Sequence, residues 1–371
     1  MNKVIGYLNL YDSPELGKLT AKRTLGSTSF LGRFALMDFA LSNFTNSGID
    51  EINILVKDNF RSVLNHVGSL KPWINNTKTS RQNILINEKG IRDPKYNSDL
   101  NCLKENIWTL LESKADYVIF QPAHIITTMN LRPVIAEHMN SKADVTIVYS
   151  HISNADESFL KTNVLKLKDK EVVSFVKNNG KSKDADVSME TYIFSTKMLL
   201  EILNNKDFAD SLSLKKVIEK IIRNPNYVVK GFEYFGYSRC FDSLDHFIDY
   251  SLELLDYEVT KALIKDDWPI YTTSHFTPPT SYGEHSKVRN SFIANGAIVK
   301  GTVQNSVISR HVVVEEGAII KDSVILANTV IERNAVVQDA VVDKLVNIAA
   351  NAVVKGTKDV AAYIGEGVNV K

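Results

Sequence analysis

The chain of 371 residues is 44% hydrophobic and 23% charged. That is the balance of an ordinary soluble globular protein, with room for two domains of about 100–200 residues each. Its net charge of +1 offers no electrostatic case for nucleic acid or a membrane as a main partner. The cysteines, Cys102 and Cys240, have no metal-type spacing, which suits a reducing, cytoplasmic setting.

In chain order, MNKVIGYLNLYDSP holds no apolar run of signal-peptide length, and no transmembrane run follows it. Residues 3–10 are predicted as a strand, and a loop leads from it into a helix over 34–48. Such a strand–loop–helix is where nucleotide-binding folds hold phosphates, usually on glycines. Here the loop offers Tyr11, Asp12, Pro14 and Glu15 instead. Further strands are predicted at 51–56, 117–123, 144–152, 190–194 and 227–235, with helices at 100–114, 132–143, 212–224 and 244–256. Residues 163–176 read as a hairpin turning at Asp169–Lys170. The alternation implies an α/β domain with a mostly parallel sheet covered by helices.

Pro269, Pro278 and Pro279, among several Ser and Thr residues, mark a linker. An internal repeat follows. Val312, Ala318, Val324, Val330, Val336, Val342, Ile348 and Val354 recur every six residues, beside a column from Val307 to Val337. This period suits a parallel β-helix with one hexapeptide per face. Gly317, Asn328 and Asn334 fall where corners are expected.

The run LGRFALMDFALSNFTNSGIDEINILV (31–56) resembles the segment after the nucleotide loop in the glucose-1-phosphate adenylyltransferase (ADP-glucose pyrophosphorylase) family. LNHVGSLKPW (64–73) and WPIYTTSHFTPPTSY (268–282) resemble two further segments of that family. The resemblance implies a Rossmann-like, GT-A-like nucleotidyltransferase domain with a mixed sheet over 1–260 and a linker over 261–284. A left-handed β-helix of hexapeptide repeats over 285–371 completes the expected architecture.

The family's catalytic pattern is broken at several places. Anchored on LGKLTAKR (16–23), the loop glycines fall on Leu10, Tyr11 and Ser13, the loop arginine on Glu15, and a later lysine on Leu25. Of the two metal-binding aspartates, the first falls on Ala123, before His124, and the second on Cys240. Phosphoryl chemistry is mostly positioning and charge stabilisation. Side chains at the glycine positions are expected to obstruct the approach of backbone N–H groups to phosphate. A carboxylate facing a phosphate at about 4 Å costs about 4 kcal/mol at an effective dielectric near 20. Ala123 offers Mg²⁺ no ligand and Cys240 a poor one. Asp242, two residues on, is a candidate replacement.

The resemblance therefore points to the regulatory, non-catalytic GlgD-type subunit, with no catalytic residue, metal or cofactor of its own. It implies a catalytic GlgC-type partner, a heterotetramer, and Mg²⁺ on that partner only. Lys22, Arg23 and Arg33 flank the altered loop and are candidates for binding a phosphorylated effector, against a plain solvated edge. The family arginine that would join them is Ala35 here. Two rivals remain. One is an active sugar nucleotidyltransferase with a divergent loop. The other is a hexapeptide-repeat acyltransferase using His311 as base, against a plain corner residue.

Overall fold

The computed structural model describes every residue except Met1, Ser69 and residues 76–79, 209–210 and 359. Ser69 of the LNHVGSLKPW run thus lies outside the described residues.

Among the described residues, nine strands form the first domain's main sheet. They are β1 (Val4–Asn9), β2 (Glu51–Val56), β3 (Arg81–Ile86), β4 (Tyr117–Pro122), β5 (Val145–Ile152), β6 (Asn163–Lys168), β7 (Glu171–Lys177), β8 (Ala185–Ser195) and β9 (Val229–Glu233). Their order is β3-β2-β1-β4-β8-β5-β9-β7-β6. The largely apolar runs of β1 and β2 are explained by burial on both faces: Ile5, Leu8, Ile54 and Leu55 are all fully buried.

The expectation of a mostly parallel sheet needs correction. β1 runs parallel to β2 and β4, β2 to β3, and β5 to β9. β8, however, is antiparallel to both its neighbours, and the β6–β7 hairpin is antiparallel too. Between β5 and β8 there is only that hairpin, and without a crossover helix the chain returns antiparallel. Both residues of the predicted turn, Asp169 and Lys170, have positive φ (50° and 65°), as a tight hairpin of this twist demands.

Several element boundaries also move. The helix expected from residue 34 starts at Met37, because Ser29–Phe30 and Phe34–Ala35 pair across a turn at Leu31–Gly32. The helix expected over 100–114 is two, Asp99–Glu105 and Trp108–Ser113. At the break, the Asn106 amide donates to the carbonyls of Cys102 and Ile86, competing with helix continuation. The strand expected over 190–194 is the longer β8, with a bulge between Ser188 and Thr191. Helix Tyr257–Leu263 overlaps the expected start of the linker. The linker is tied to the DFALSN run: the Tyr271 amide donates to Ser42 Oγ (2.9 Å) and the Trp268 indole to Asn43 Oδ1 (3.1 Å).

The second domain is a three-faced parallel β-helix starting at Ser281–Tyr282. Val313 pairs with Val330 and Val330 with Asn347, a rung of 17 residues. Two faces therefore take six residues and the third takes five, so the strict six-residue column drifts. Val312, Ala318, Val342 and Ile348 are fully buried, but Val330 and Val336 are only partly so. Ile331 and Val337 point into the core in their place. The corners repeat every rung in the left-handed backbone region: Gly317, Asn334 and Asn351 form one such ladder, and His311, Asn328 and Leu345 another. The predicted corners fall on these ladders, and so does His311.

The domains are packed together. Leu19, Phe30, Phe241 and Phe247 of the first share a buried cluster with Val307, Val324 and Val341 of the second. Among the described residues no helix is long and apolar enough to cross a membrane.

Candidate functional site

The altered loop after β1 meets Lys57, Asp58 and Asn59, which follow β2, at the carboxyl edge of the sheet, where α/β folds place ligands. A pocket of about 320 Å³ lies there, lined by Leu10, Tyr11, Ser13, Glu15 and Leu25 among others. The substitutions act differently from the simple obstruction expected. Leu10, Tyr11 and Leu25 are buried in the core, Tyr11 in the cluster that holds Tyr7 and Cys102. Three of the loop's backbone amides are already committed. The Leu10 amide donates to Leu55 O (3.1 Å), the Tyr11 amide to Asn9 Oδ1 (3.0 Å) and the Leu16 amide to Thr20 Oγ1 (2.8 Å). The Ser13 hydroxyl is buried with no hydrogen-bond partner. Glu15 is exposed on the rim, and Asp58 adds a second carboxylate beside Lys57. With three amides committed and two carboxylates at its rim, this pocket is a poor match for a triphosphate.

Ala123 and Cys240 lie at the start of a short ladder in which Ser238–Cys240 pairs with Ile125–Thr127, and both are fully buried in one cluster. Ala123 packs so closely on Gly26 that a Cβ at Gly26 would sit 2.9 Å from its methyl. The charged residues here are ones the sequence did not single out. Lys215, in the first turn of helix Leu214–Arg223, places Nζ 2.6 Å from Glu190 Oε1 and 3.7 Å from Asp12. His124 Nε2 lies 3.4 Å from the other Glu190 oxygen. Burial alone would raise the Glu190 carboxyl, but Lys215 and His124 bring it down to about 2. Burial would likewise lower the Lys215 ammonium, but Glu190 and Asp12 hold it above its ordinary value. The Cys240 thiol is pushed well up by burial and by Asp242, so it stays protonated.

These residues do not fit Mg²⁺. Ala123 has no donor, Cys240 is a neutral thiol, and the Lys215 ammonium is close enough to Cys240 to act on its ionisation. Asp242 does not replace the missing ligand. Its Oδ1 pairs with His246 Nδ1 at 2.5 Å, and its Oδ2 accepts the Leu160 amide at 3.0 Å. Among the described residues, no group of three or more His, Cys, Asp or Glu is placed to hold a metal ion.

The three basic candidates line one cleft but differ in their partners. Arg23 is buried and committed: it meets Asp343 at 2.7 Å and Glu366 at 2.8 Å, both in the β-helix. This corrects the expectation of an effector-binding Arg23, because its guanidinium is already neutralised. Lys22 and Arg33 are exposed and line a cleft of about 500 Å³ between the domains. The same cleft gathers Arg61, Arg310, Lys344, His66, His275 and His311, with Ala35 in its wall. Among the described residues, none of Lys22, Arg33, Arg61, Arg310 and Lys344 makes an ion pair. The crowding is felt. Arg310 is lowered by burial and then by Arg33, and Lys344 by burial and then by Arg23. His275 is lowered by burial and by Arg310, His66 and His311. Glu366 is in the wall as well, paired with Arg23, yet cations outnumber carboxylates in the lining, which gives the cleft a positive balance that suits an anion.

Residues 16–234, more than half of the chain, match the model of the family described as nucleotidyl transferase. The chain belongs to the nucleotidyl transferase family. Residues 275–362 match the GlmU-like C-terminal hexapeptide model. The chain is 26% identical over 306 residues to the glycogen biosynthesis protein GlgD of Bacillus subtilis (strain 168), covering 82% of this chain and 79% of that protein. It is 27% identical over 327 residues to the GlgD of Geobacillus stearothermophilus, covering 86% and 83%. To the glucose-1-phosphate adenylyltransferase of Clostridium perfringens (strain 13 / Type A) it is 27% identical over 316 residues, covering 83% and 79%.

Glu190, Lys215 and Arg310 are charged residues of these sites that the sequence alone did not single out. A signal existed for Glu190, an acid in the middle of the apolar run VSMETYIF. None existed for Lys215, which reads as the polar side of an amphipathic helix, or for Arg310, which joins the cleft only through the tertiary fold.

Proposed function

We propose that the chain is the regulatory, catalytically inactive subunit of a cytoplasmic ADP-glucose pyrophosphorylase. That enzyme joins ATP and glucose 1-phosphate into ADP-glucose and pyrophosphate for glycogen biosynthesis. In this proposal a GlgC-type chain, assembled with this one as a heterotetramer, holds Mg²⁺ and carries out the chemistry. The similarity to both GlgD proteins and glucose-1-phosphate adenylyltransferases supports the pathway. The observation that carries the inactive reading is the centre of the site: a protonated thiol, a methyl group and a Lys215–Glu190 ion pair stand where metal ligands would be needed.

Purified alone, the chain given ATP, glucose 1-phosphate and Mg²⁺ is expected to run far below an ordinary enzyme rate of about 1–1000 per second. Mixed with a GlgC-type chain, it is expected to co-purify and to change that chain's response to effectors. Ordinary turnover by the chain alone would refute the inactive reading. Two chains that never associate at micromolar concentration would refute the partnership.

The interdomain cleft supports a phosphorylated metabolite as effector. Charge-assisted contacts of this kind are worth about 1.5–3 kcal/mol each. In the assembled enzyme, Arg33→Ala with Arg310→Ala is therefore expected to shift the activation curve tenfold or more towards higher effector concentration. Overlapping curves would reduce the cleft to a solvated basic edge.

A further inference from the structure

The Glu190 carboxylate lies at the carboxyl edge of the sheet's parallel strands, where α/β folds bind ligands. It is buried, and its two oxygens are divided between Lys215 Nζ (2.6 Å) and His124 Nε2 (3.4 Å). The backbone that delivers it is unusual. Glu190 has a φ of +50° inside the β8 bulge, a left-handed conformation that suits glycine and that an ordinary strand residue avoids. Its amide is satisfied by Ser188 Oγ at 3.0 Å, which holds the bulge in place. Around it, His124 Nδ1 is buried without a partner and the Cys240 thiol is neutral. Asp12, at 3.7 Å from Lys215, is the more distant of the ammonium's two carboxylates.

We propose that Lys215 and His124 form an oxyanion receptor and that Glu190 is its built-in occupant, an internal carboxylate held where a small tetrahedral oxyanion such as phosphate would otherwise bind. A purely structural ion pair gives no reason to force a glutamate into a left-handed bulge. A carboxylate that must reach two donors at the end of the sheet does. The chain in its native form is thus closed to anions at this site by its own side chain. This inference rests on the reading of the site as catalytically inert, and its test reads binding, so turnover and closure can fail separately.

The test uses the full chain with Arg33→Ala and Arg310→Ala as background, so that the interdomain cleft does not contribute. In that background Glu190→Gly removes the carboxylate and suits the backbone. Inorganic phosphate at about 10 mM is expected to raise the melting temperature of the glycine variant and to leave the Glu190 chain unmoved, by mass action on the folded state. Adding Lys215→Met is expected to abolish the response. Should the glycine variant fold poorly, Glu190→Ala also empties the receptor and leaves Lys215 with only the longer contact to Asp12. It is expected to recover stability in phosphate more than in chloride at equal ionic strength. The proposal is overturned if the emptied chain, glycine or alanine, gains nothing from phosphate beyond the Glu190 chain, or if the gain survives Lys215→Met.

Discussion

Ile331→Asp is expected to unfold the β-helix, whereas Val330→Asp, one residue earlier, is expected to leave it standing. Ile331 is fully buried and stacked in register between Val314 and Ile348, which are also fully buried. A carboxylate there loses the aliphatic packing and gains no partner. Together these cost more than about 4 kcal/mol, a large part of the stability of a typical domain. Val330 pairs with Val313 and Asn347 on the outer side of the same face and is only partly buried. Its aspartate can be hydrated, so the change should stay within about 1 kcal/mol. Urea unfolding of both variants checks the register. If Val330→Asp were the severe one, the strict six-residue column would be the interior column and the 17-residue rung would be wrong.

That contrast shows what the sequence of the repeats carried and what it did not. Asn and Gly at regular spacing marked the corners, because the left-handed backbone of a corner suits them whatever the face length. The length of each face was hidden, because Val and Ile stand on the outside of these short strands as well as the inside. In the first domain, KVIGYLNL and EINILV were legible as strands since burial on both faces leaves them mostly apolar, with Asn9 and the buried Asn53 as the interruptions. β3 was missed because it is the edge strand, RQNILI, with Arg81 exposed. Hydrophobic pattern is blind to strand direction, which could be read only from the connections, such as the hairpin that stands in place of a crossover helix before β8.

The site divides in the same way. Loss of glycines and aspartates could be seen in the sequence, but the fate of the new side chains could not. Leu10 and Tyr11 turn into the core, and their amides are committed to Leu55 O and Asn9 Oδ1. Persistence of the DFALSN run also has an internal reason. Asp38 accepts the Ala35 amide (2.8 Å) and pairs with His66 (2.5 Å). Asn43 donates to Thr127 O (3.1 Å) and accepts the Met129 amide (2.9 Å). The run thus fastens the first domain's loops and the linker.

Arg23→Ala is expected to destabilise the chain by about 3–5 kcal/mol, through the β-helix as much as through the first domain. Arg23 spans the domains with one guanidinium, reaching Asp343 through one nitrogen (2.7 Å) and Glu366 through another (2.8 Å). Asp343 is buried and already accepts the Tyr363 hydroxyl (2.7 Å) and the Lys344 amide (2.7 Å). Removing the arginine would leave that carboxylate without its charged partner, which costs more than the pair itself contributes. Lys344, lowered by burial and by Arg23, would recover part of its ordinary basicity and offset some of the loss. Arg23→Lys should rescue little, since a single ammonium cannot match two carboxylates with a fork of donors. Asp343→Asn in the Arg23→Ala background should restore stability, because the uncompensated charge is then gone. Urea unfolding of the two single variants and the double variant measures this coupling. Additive losses would mean that Arg23 is a solvated flank of the loop rather than the ionic hinge pin between the domains.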